Sequence, residues 1–354
     1  MSMEYHFSEL FSWTSGKPIT PTIGAIPVYG SNGVIGYTDK VQYRNRIILG
    51  RVGAYCGSVA YCPSEFNATD NTLITKCDTS KILYGFAYYL LKQFRLNDYA
   101  GGAAQPLITQ GLLKHLKCDI PSIDQQLIIA EHLSAYDNLI EVNNKRIKVL
   151  EQLAENLYKE WFVRFRFPGH ENAEFENGIP KGWTVEKIGG IVKRLPFGVL
   201  YKAEDTVSEG KVIVVDQSQA EYIGFHNNKP SHMATSKSPI ALFGDHSCKQ
   251  QLMITPFSLS ENVVPFIGRC GINTVYLYYL TYRKIETIEY KRHWTEFTAK
   301  KVLVAPPGLQ ERFSDKVTPI CETIQKVKEQ NRNLIKQRDL LLPRLMSGKL
   351  EVRS

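Results

Sequence analysis

Features that would commit a protein to export, to a membrane or to a metal cluster are missing from this 354-residue chain. The seven cysteines are odd in number and contain no C-x-x-C pair, so the sequence predicts neither a disulfide framework nor a zinc cluster. No run of about 18 apolar residues occurs, and the opening residues MSMEYHFSEL lack a basic region followed by an apolar one. We therefore expect a cytoplasmic protein that does not bind membranes.

Motifs that carry catalysis are also missing. The chain contains neither Asn-Pro-Pro-Tyr nor Asp-Pro-Pro-Tyr, which are typical of adenine methyltransferases, and it has no glycine-rich loop for a cofactor or for ATP. The nearest similarity to a nuclease site is Asp205 with Glu209 and Lys211, and such short matches are common by chance. The histidines of the second half show no metal-ligand spacing. The sequence thus predicts no catalytic residue, no metal site and no cofactor on this chain.

The composition is that of a globular protein with a basic surface. The chain is 43% hydrophobic and 22% charged, and its length suits two domains that each bury a core. Lysine and arginine number 43 against 35 aspartate and glutamate, which gives a net charge of +8. This modest excess favours a polyanion such as nucleic acid as the partner.

Segments of the first half recur in the same order in the second half. Each pair shares a short motif, and the shared order indicates a duplicated domain. The pairs are SNGVIGYTDK (31–40) with SQAEYIGFHN (218–227), RIILGRVGAYCGS (46–58) with PIALFGDHSCKQQ (239–251), and FNATDNTLI (66–74) with FSLSENVVPF (257–266).

Each half ends in a proline-containing link followed by a long helical pattern. The patterns run from Ile123 to Phe165 and from Leu309 to Met346, and we expect Pro319 and Pro343 to kink or shorten the second helix. Each helix has an apolar stripe with one asparagine in it. Because neither helix has enough local chain to cover its stripe, the two should pack on each other in antiparallel orientation. The predicted seam consists of Ile140, Asn143, Ile147, Leu150, Leu157, Ile324, Val327, Asn331 and Leu334.

The asparagines suggest a role in alignment. A polar pair inside an apolar seam penalises slipped registers, so Asn143 and Asn331 are predicted to hold the helices in one alignment.

The globular halves combine helical and strand patterns. LYGFAYYLLKQF (83–94) predicts a helix, whereas four runs rich in β-branched and aromatic residues predict strands. These runs are NRIILGRVGAY, GKVIVVDQS, KSPIALFG and NTVYLYYL. The predicted fold class is mixed α/β, with two globular domains separated by two long antiparallel helices and an internal pseudo-two-fold symmetry.

With this plan, the chain resembles the specificity subunits of type I restriction-modification systems. The segment from Ile123 to Pro168 looks like the central conserved region of that family, and GIPKGWTVEKIGGIV (178–192) is similar to the opening of a target recognition domain. The first domain adds YGSNGVIGYTD, GRVGAYCG, TDN and GGAAQPLI, and LLLPRLMSGKLEV (340–352) looks like the C-terminal conserved region. The second domain lacks the GGAAQP motif, which leaves its recognition residues less well located.

The resemblance implies a domain plan and a function. Residues 1–121 and 169–306 would be target recognition domains, residues 122–168 the central helical spacer, and residues 307–354 the C-terminal helical region. Each domain would recognise one half of a bipartite, asymmetric site in double-stranded DNA, while the helices set the gap and bind two methyltransferase subunits. Restriction subunits would join in a larger complex, in which other subunits use S-adenosylmethionine, ATP and magnesium. This chain itself would be a non-catalytic subunit.

Candidate DNA contacts follow from the side chains that bind base edges and phosphates. In the first domain they lie in a glycine-rich loop, after a strand and in the GGAAQP motif, and in the second domain they lie near the corresponding turns. They are Tyr29, Ser31, Asn32, Arg51, Gln105, Gln217, His246, Lys249, Gln250, Arg292 and His293. For the loop glycines, a purely structural role in tight turns is an equal alternative.

Two other functional classes stay open from the residues alone. One is a stand-alone enzyme that cleaves or methylates DNA. The other is a coiled-coil scaffold with no role on DNA.

Overall fold

The computed structural model describes residues 3–101, 106–286, 289 and 291–350. The chain divides into two compact units, and each unit contains one globular part and a segment of both long helices. Unit 1 comprises Met1–Val142 with Asn331–Ser354, and unit 2 comprises Asn143–Gln330.

Among the described residues, the first globular part contains eight strands and three α-helices. In chain order they are β1 (Met3–His6), α1 (Phe7–Leu10), β2 (Phe11–Ser15), β3 (Ile26–Gly30), β4 (Gly33–Thr38), β5 (Tyr43–Gly50), β6 (Val59–Ala68), β7 (Thr72–Cys77), α2 (Tyr84–Gln93), α3 (Gln110–Lys114) and β8 (Lys117–Ile120). Six strands form one sheet in the order β2-β7-β5-β6-β3-β4, and β1 pairs with β8 separately. All pairs are antiparallel except β3 with β6.

Two long helices and a second globular part complete the chain. After α4 (Ile123–Tyr158) come β9 (Phe175–Glu176), β10 (Ile179–Pro180), β11 (Thr184–Lys187), α5 (Ile188–Ile191), β12 (Val192–Arg194), β13 (Val212–Val215), β14 (Gly224–His226), β15 (Ile240–Gly244), β16 (Gln250–Met253), β17 (Phe257–Leu259), β18 (Val263–Gly268), α6 (Thr274–Thr281), α7 (Trp294–Ala299), β19 (Lys301–Val304) and α8 (Pro307–Met346). The sheets have the orders β12-β18-β15-β16 and β14-β13-β17, beside the pairs β11-β19 and β9-β10.

The strand orders confirm that the domain is duplicated. The series β2-β7-β5-β6 corresponds to β12-β18-β15-β16, and the parallel pair of β3 with β6 corresponds to the parallel pair of β13 with β17. The long strand β6 of the first part thus corresponds to two shorter strands, β16 and β17, of the second part.

One secondary-structure prediction is wrong. NTVYLYYL was expected to be a strand, but it forms α6, the counterpart of α2. The side chain of Asn273 accepts a hydrogen bond from the Tyr276 N–H (3.1 Å) and so caps the helix. Because α6 is buried on nearly all sides, its sequence lacks the one-sided apolar spacing by which a surface helix is recognised.

Both long helices are continuous. Helix α4 has 36 residues and is followed by a π-helical turn at Lys159–Val163, and α8 has 40 residues. The predicted shortening of the second helix is wrong, because α8 passes through both Pro319 and Pro343. Both prolines lie on its exposed side, where water can satisfy the carbonyl that each leaves without a donor. None of the helices among the described residues combines the length and apolar composition needed to cross a membrane.

In unit 1 the start of α4 packs beside the end of α8. Ile129 and Leu133 of α4 share the core with Leu345 and Met346 of α8 and with the aromatic residues of α1 and α2. Nearer the middle of the helices, the carboxylate of Asp137 pairs with Arg338. The Tyr89 hydroxyl donates to the same carboxylate at 2.7 Å. Residues near the start of α4 thus contact residues near the end of α8, so the two segments are antiparallel.

In unit 2 the end of α4 packs beside the start of α8. The ring of Phe313 lies 5.1 Å from that of Phe162 and 6.0 Å from those of Tyr158 and Trp161. Tyr276 of α6 adds a further ring, 4.8 Å from Phe162. This segment pair is also antiparallel. The nine seam residues are all buried or half-buried in the structure.

A fully buried glutamine near the start of each long helix connects that helix to its own globular part. The Oε1 of Gln126 accepts from the Leu83 N–H (2.9 Å), and its Nε2 donates to the carbonyls of Lys81 (2.8 Å) and Pro121 (2.9 Å). Gln310 repeats the arrangement in unit 2. Each glutamine thereby satisfies backbone groups at the entrance of α2 or α6.

Candidate nucleic-acid interface

In the first domain, three loops meet at one end of the sheet. The Arg51 N–H donates to the carbonyl of Asn71 (2.9 Å), and the Ser31 hydroxyl donates to the same carbonyl (2.7 Å). The Ser58 hydroxyl donates to the carbonyl of Ser31 (2.6 Å). These bonds join the β3–β4 turn, the segment after β5 and the β6–β7 turn into one braced surface.

Glycine is required where these loops approach each other. A Cβ on Gly50 would lie 2.4 Å from the Tyr55 carbonyl oxygen and 3.0 Å from that of Ser31. Any side chain at this position would therefore push the loops apart. Gly50 therefore has a structural role in this surface.

The predicted residues of the first domain differ in accessibility. Tyr29 is half-buried, with its ring 5.6 Å from that of Phe66, and burial raises the pKa of its hydroxyl. Ser31 is occupied by the loop bonds, whereas Asn32 is exposed at the tip of the turn. Gln105 lies outside the described residues. Tyr29 and Ser31 thus support the loop surface, and Asn32 can reach beyond it.

Arg51 has a fixed backbone and an unsatisfied side chain. Its carbonyl accepts from the Ile108 N–H (3.0 Å), in addition to the bond from its own N–H to Asn71. The Nε atom is enclosed and has no hydrogen-bond partner among the described residues. A cation held in this way lacks the partner that a partly desolvated charge ordinarily has.

The second domain has a corresponding loop surface centred on Asp245. The Asp245 N–H donates to the carbonyl of Asn262 (2.8 Å). Its carboxylate accepts from the N–H groups of His293 (3.0 Å) and Trp294 (2.8 Å) and lies 3.8 Å from the Nε of Arg292. Sequence reasoning missed Asp245, although its place directly after the glycine that ends β15 matches that of Arg51 after β5.

Four predicted residues of the second domain are at least partly accessible. Gln217 and His246 are half-buried, and the Gln217 side chain accepts from the His246 N–H (3.0 Å). The ammonium group of Lys249 donates to the Ala220 carbonyl, and burial lowers the pKa of that group. The side chain of Arg292 is 77% exposed. These residues line the same end of the domain.

Two predicted residues have internal roles instead. Gln250 donates to the Thr281 hydroxyl (3.1 Å) and accepts from the Arg283 N–H (3.1 Å), so it closes the end of α6. His293 is only 2% exposed, and its ring nitrogens lie 3.4 Å from Glu296 Oε2 and 3.2 Å from the Glu289 carbonyl. These contacts give both side chains structural roles within the domain.

Comparison with known proteins shows which family the chain is similar to. The family model described as "Type I restriction modification DNA specificity domain" matches residues 14–152. The chain is 28% identical over 312 residues to the type I restriction enzyme MjaIX specificity subunit of Methanocaldococcus jannaschii, covering 75% of this chain and 69% of that protein. Over three quarters of its length, the chain is thus similar to a specificity subunit of a type I restriction-modification system. The family resemblance seen in the sequence is thus confirmed.

Two further similarities agree with this assignment. The chain is 33% identical over 131 residues to the EcoprrI specificity subunit of Escherichia coli, over 37% of this chain and 32% of that protein. Its fold is similar to the crystal structure of the type I restriction-modification S subunit from M. genitalium, with a TM-score of 0.60 at 18% identity and coverage of 100% and 97%. The structural likeness concerns the fold, and it confirms the predicted mixed α/β class with long connecting helices.

Proposed function

We propose that this specificity subunit recognises a bipartite sequence in double-stranded DNA, with residues 1–121 contacting one half-site and residues 169–306 the other. The observation that carries this proposal is the repeated loop surface. The two domains build it from equivalent backbone bonds, Arg51 to Asn71 and Asp245 to Asn262, but present different side chains on it. A common frame with different side chains suits two half-sites of different sequence. The helical regions 122–168 and 307–354 would set the gap between them.

The proposed contacts are the accessible members of the predicted set. In the first domain they are Asn32 and Arg51, with Gln105 kept as a prediction from its motif. In the second domain they are Gln217, His246, Lys249 and Arg292. The net charge of +8 adds general attraction to phosphates, so binding should weaken steeply as salt rises.

The experiment that tests this function is sequencing of methylated bases in cells with and without the gene. We expect a split adenine-methylation motif to disappear when the gene is deleted and to return with the wild-type copy. An unchanged methylome would contradict the proposal. Cleavage or methylation of DNA by the purified chain alone would instead support the stand-alone enzyme, and absence of DNA binding in the assembled complex would support the scaffold.

We further propose that two methyltransferase subunits bind along the helices, with restriction subunits joining the larger complex. Helix α4 exposes apolar side chains away from its buried stripe, at Leu139 and Val142 in unit 1 and at Val149 and Leu153 in unit 2. Val149 is 67% exposed and Leu153 is 52% exposed. Apolar side chains at this spacing on one helix face suit a protein partner. In the complex, S-adenosylmethionine, ATP and magnesium would bind to the other subunits.

The double variant Val149→Glu/Leu153→Glu should lose methyltransferase binding. Burying either carboxylate against an apolar partner surface is unfavourable, so we expect affinity to fall about tenfold to 1,000-fold, as at interface hot spots. Copurification and sedimentation of the mixed subunits measure the effect. Lys148→Glu, at an exposed position about 100° or more around the helix from Val149 and Leu153, is the matched control and should assemble normally. Normal assembly of the double variant would place the partner elsewhere.

A further inference from the structure

Arg51 and Asp245 occupy equivalent positions in the two domains and carry opposite charges. Each follows the glycine that ends a central strand, and each N–H donates to an asparagine carbonyl in the turn before the next strand. Each carbonyl accepts from the chain just before a short helix, at Ile108 or at His293. The backbone frame is therefore shared, and the side chains alone differ.

The Asp245 side chain is satisfied within its own domain. Two backbone N–H groups at the start of α7 donate to it, Arg292 lies near it, and only 9% of the residue is exposed. A carboxylate held this way caps a helix and has little capacity left for an external ligand.

Arg51 has the opposite arrangement. Its Nε atom is enclosed without an acceptor, and the structure gives its Nη groups no hydrogen bond or ion pair among the described residues. The Nη groups are not enclosed, so they are the part of the side chain that can meet a ligand. A guanidinium with two free N–H directions and a fixed stem is suited to a paired acceptor.

We propose that Arg51 is a specificity-determining residue that recognises a guanine in the first half-site, donating to its O6 and N7 acceptors in the major groove. This inference rests on the proposed function. Guanine is the base that presents two neighbouring acceptors there, and the paired arginine contact is the commonest specific one. The second domain has no arginine at the equivalent place, so its half-site is recognised by other side chains.

The setting of Arg51 favours a base over a phosphate. Phosphates can be neutralised by exposed cations, such as Arg44, whose side chain is 73% exposed and lies 3.3 Å from Glu65. Arg51 instead has a half-buried stem between loops that the hydroxyls of Ser31 and Ser58 brace. This restraint reduces the rotamer freedom lost when two N–H groups must align with one base.

The test uses the specificity subunit assembled with its methyltransferase subunits and begins with the methylated motif. Binding is then measured on duplexes in which each guanine of the first half-site is replaced in turn by adenine or by 7-deazaguanine, which lacks the N7 acceptor. We expect wild type to lose affinity at one guanine, by about 5- to 150-fold for adenine. Arg51→Lys, which keeps the positive charge but lacks the paired N–H donors of the guanidinium, should lose most of this preference for guanine. Arg44→Ala should keep it.

The outcomes separate this inference from the proposed function. A split motif whose first half contains no guanine would overturn the role of Arg51 while supporting the proposed function. The role of Arg51 would also be overturned if Arg51→Lys kept the full guanine preference, or if wild type bound every 7-deazaguanine duplex as tightly as the guanine duplex. Either result would indicate that Arg51 pairs with a phosphate. Absence of any split motif would count against the proposed function itself. Should Arg51→Lys fail to fold, the base analogues on wild-type protein still decide.

Discussion

Exchange of residues 1–121 for the matching segment of a related specificity subunit is expected to change one half of the methylated motif and leave the other half unchanged. The loop surface of the first domain is built entirely from its own residues, since Ser31, Arg51, Ser58 and Asn71 hold one another. The side chains that would recognise bases therefore move together in the exchange. We expect a complete switch of the first half-site, measured by sequencing methylated bases.

The junction of this chimera follows from the core of unit 1. Ile129 and Leu133 of α4 pack under the domain, and Gln126 bonds to its backbone at Lys81 and Leu83. A donor segment ending before Ser122 keeps α4 whole, provided that its own chain offers the same backbone groups to Gln126. Exchange of residues 169–306 is the matched control and should alter the second half-site alone. Changes in both halves from one exchange would contradict separate recognition by the two domains.

Gln126→Leu should be strongly destabilising. The change removes three hydrogen bonds and leaves the Leu83 N–H and the carbonyls of Lys81 and Pro121 buried without their partner. We expect the free energy of unfolding of the first unit to fall by about 2–5 kcal/mol. Urea unfolding followed by circular dichroism measures the loss, with the midpoint of the less stable transition as the readout.

The neighbouring residue provides a close control. Gln125 is exposed, so Gln125→Leu makes the same chemical change where no buried group depends on it. Its effect should stay within about 0.5 kcal/mol. Because Gln310 repeats the contacts in unit 2, Gln310→Leu should destabilise the second unit in the same way. Equal stabilities of the Gln125 and Gln126 variants would show that the glutamine bonds are not needed to attach helix to domain.

The helical part of the fold was accessible from sequence because its signals are local. Pro306 and Pro307 mark the start of α8, and a single apolar stripe with one asparagine marks each helix. Proline effects were overestimated, since Pro319 and Pro343 face solvent and leave α8 unbroken. Helix α6 was missed for a different reason. Its apolar residues are buried on nearly all sides, so composition indicated a strand where only the packed domain favours a helix.

The sequence by itself determined the duplicated plan, the two long helices, the absence of the known catalytic motifs and the resemblance to type I specificity subunits, because these depend on order, spacing and residue type along the chain. Only the tertiary structure decided which candidate contacts are accessible. It buried His293, engaged the Gln250 side chain at the end of α6, left Arg292 exposed and brought Asp245 into correspondence with Arg51. Exposure and partners depend on residues far apart in sequence, such as Arg51 with Asn71 and Asp245 with His293, which come together only when the sheets form.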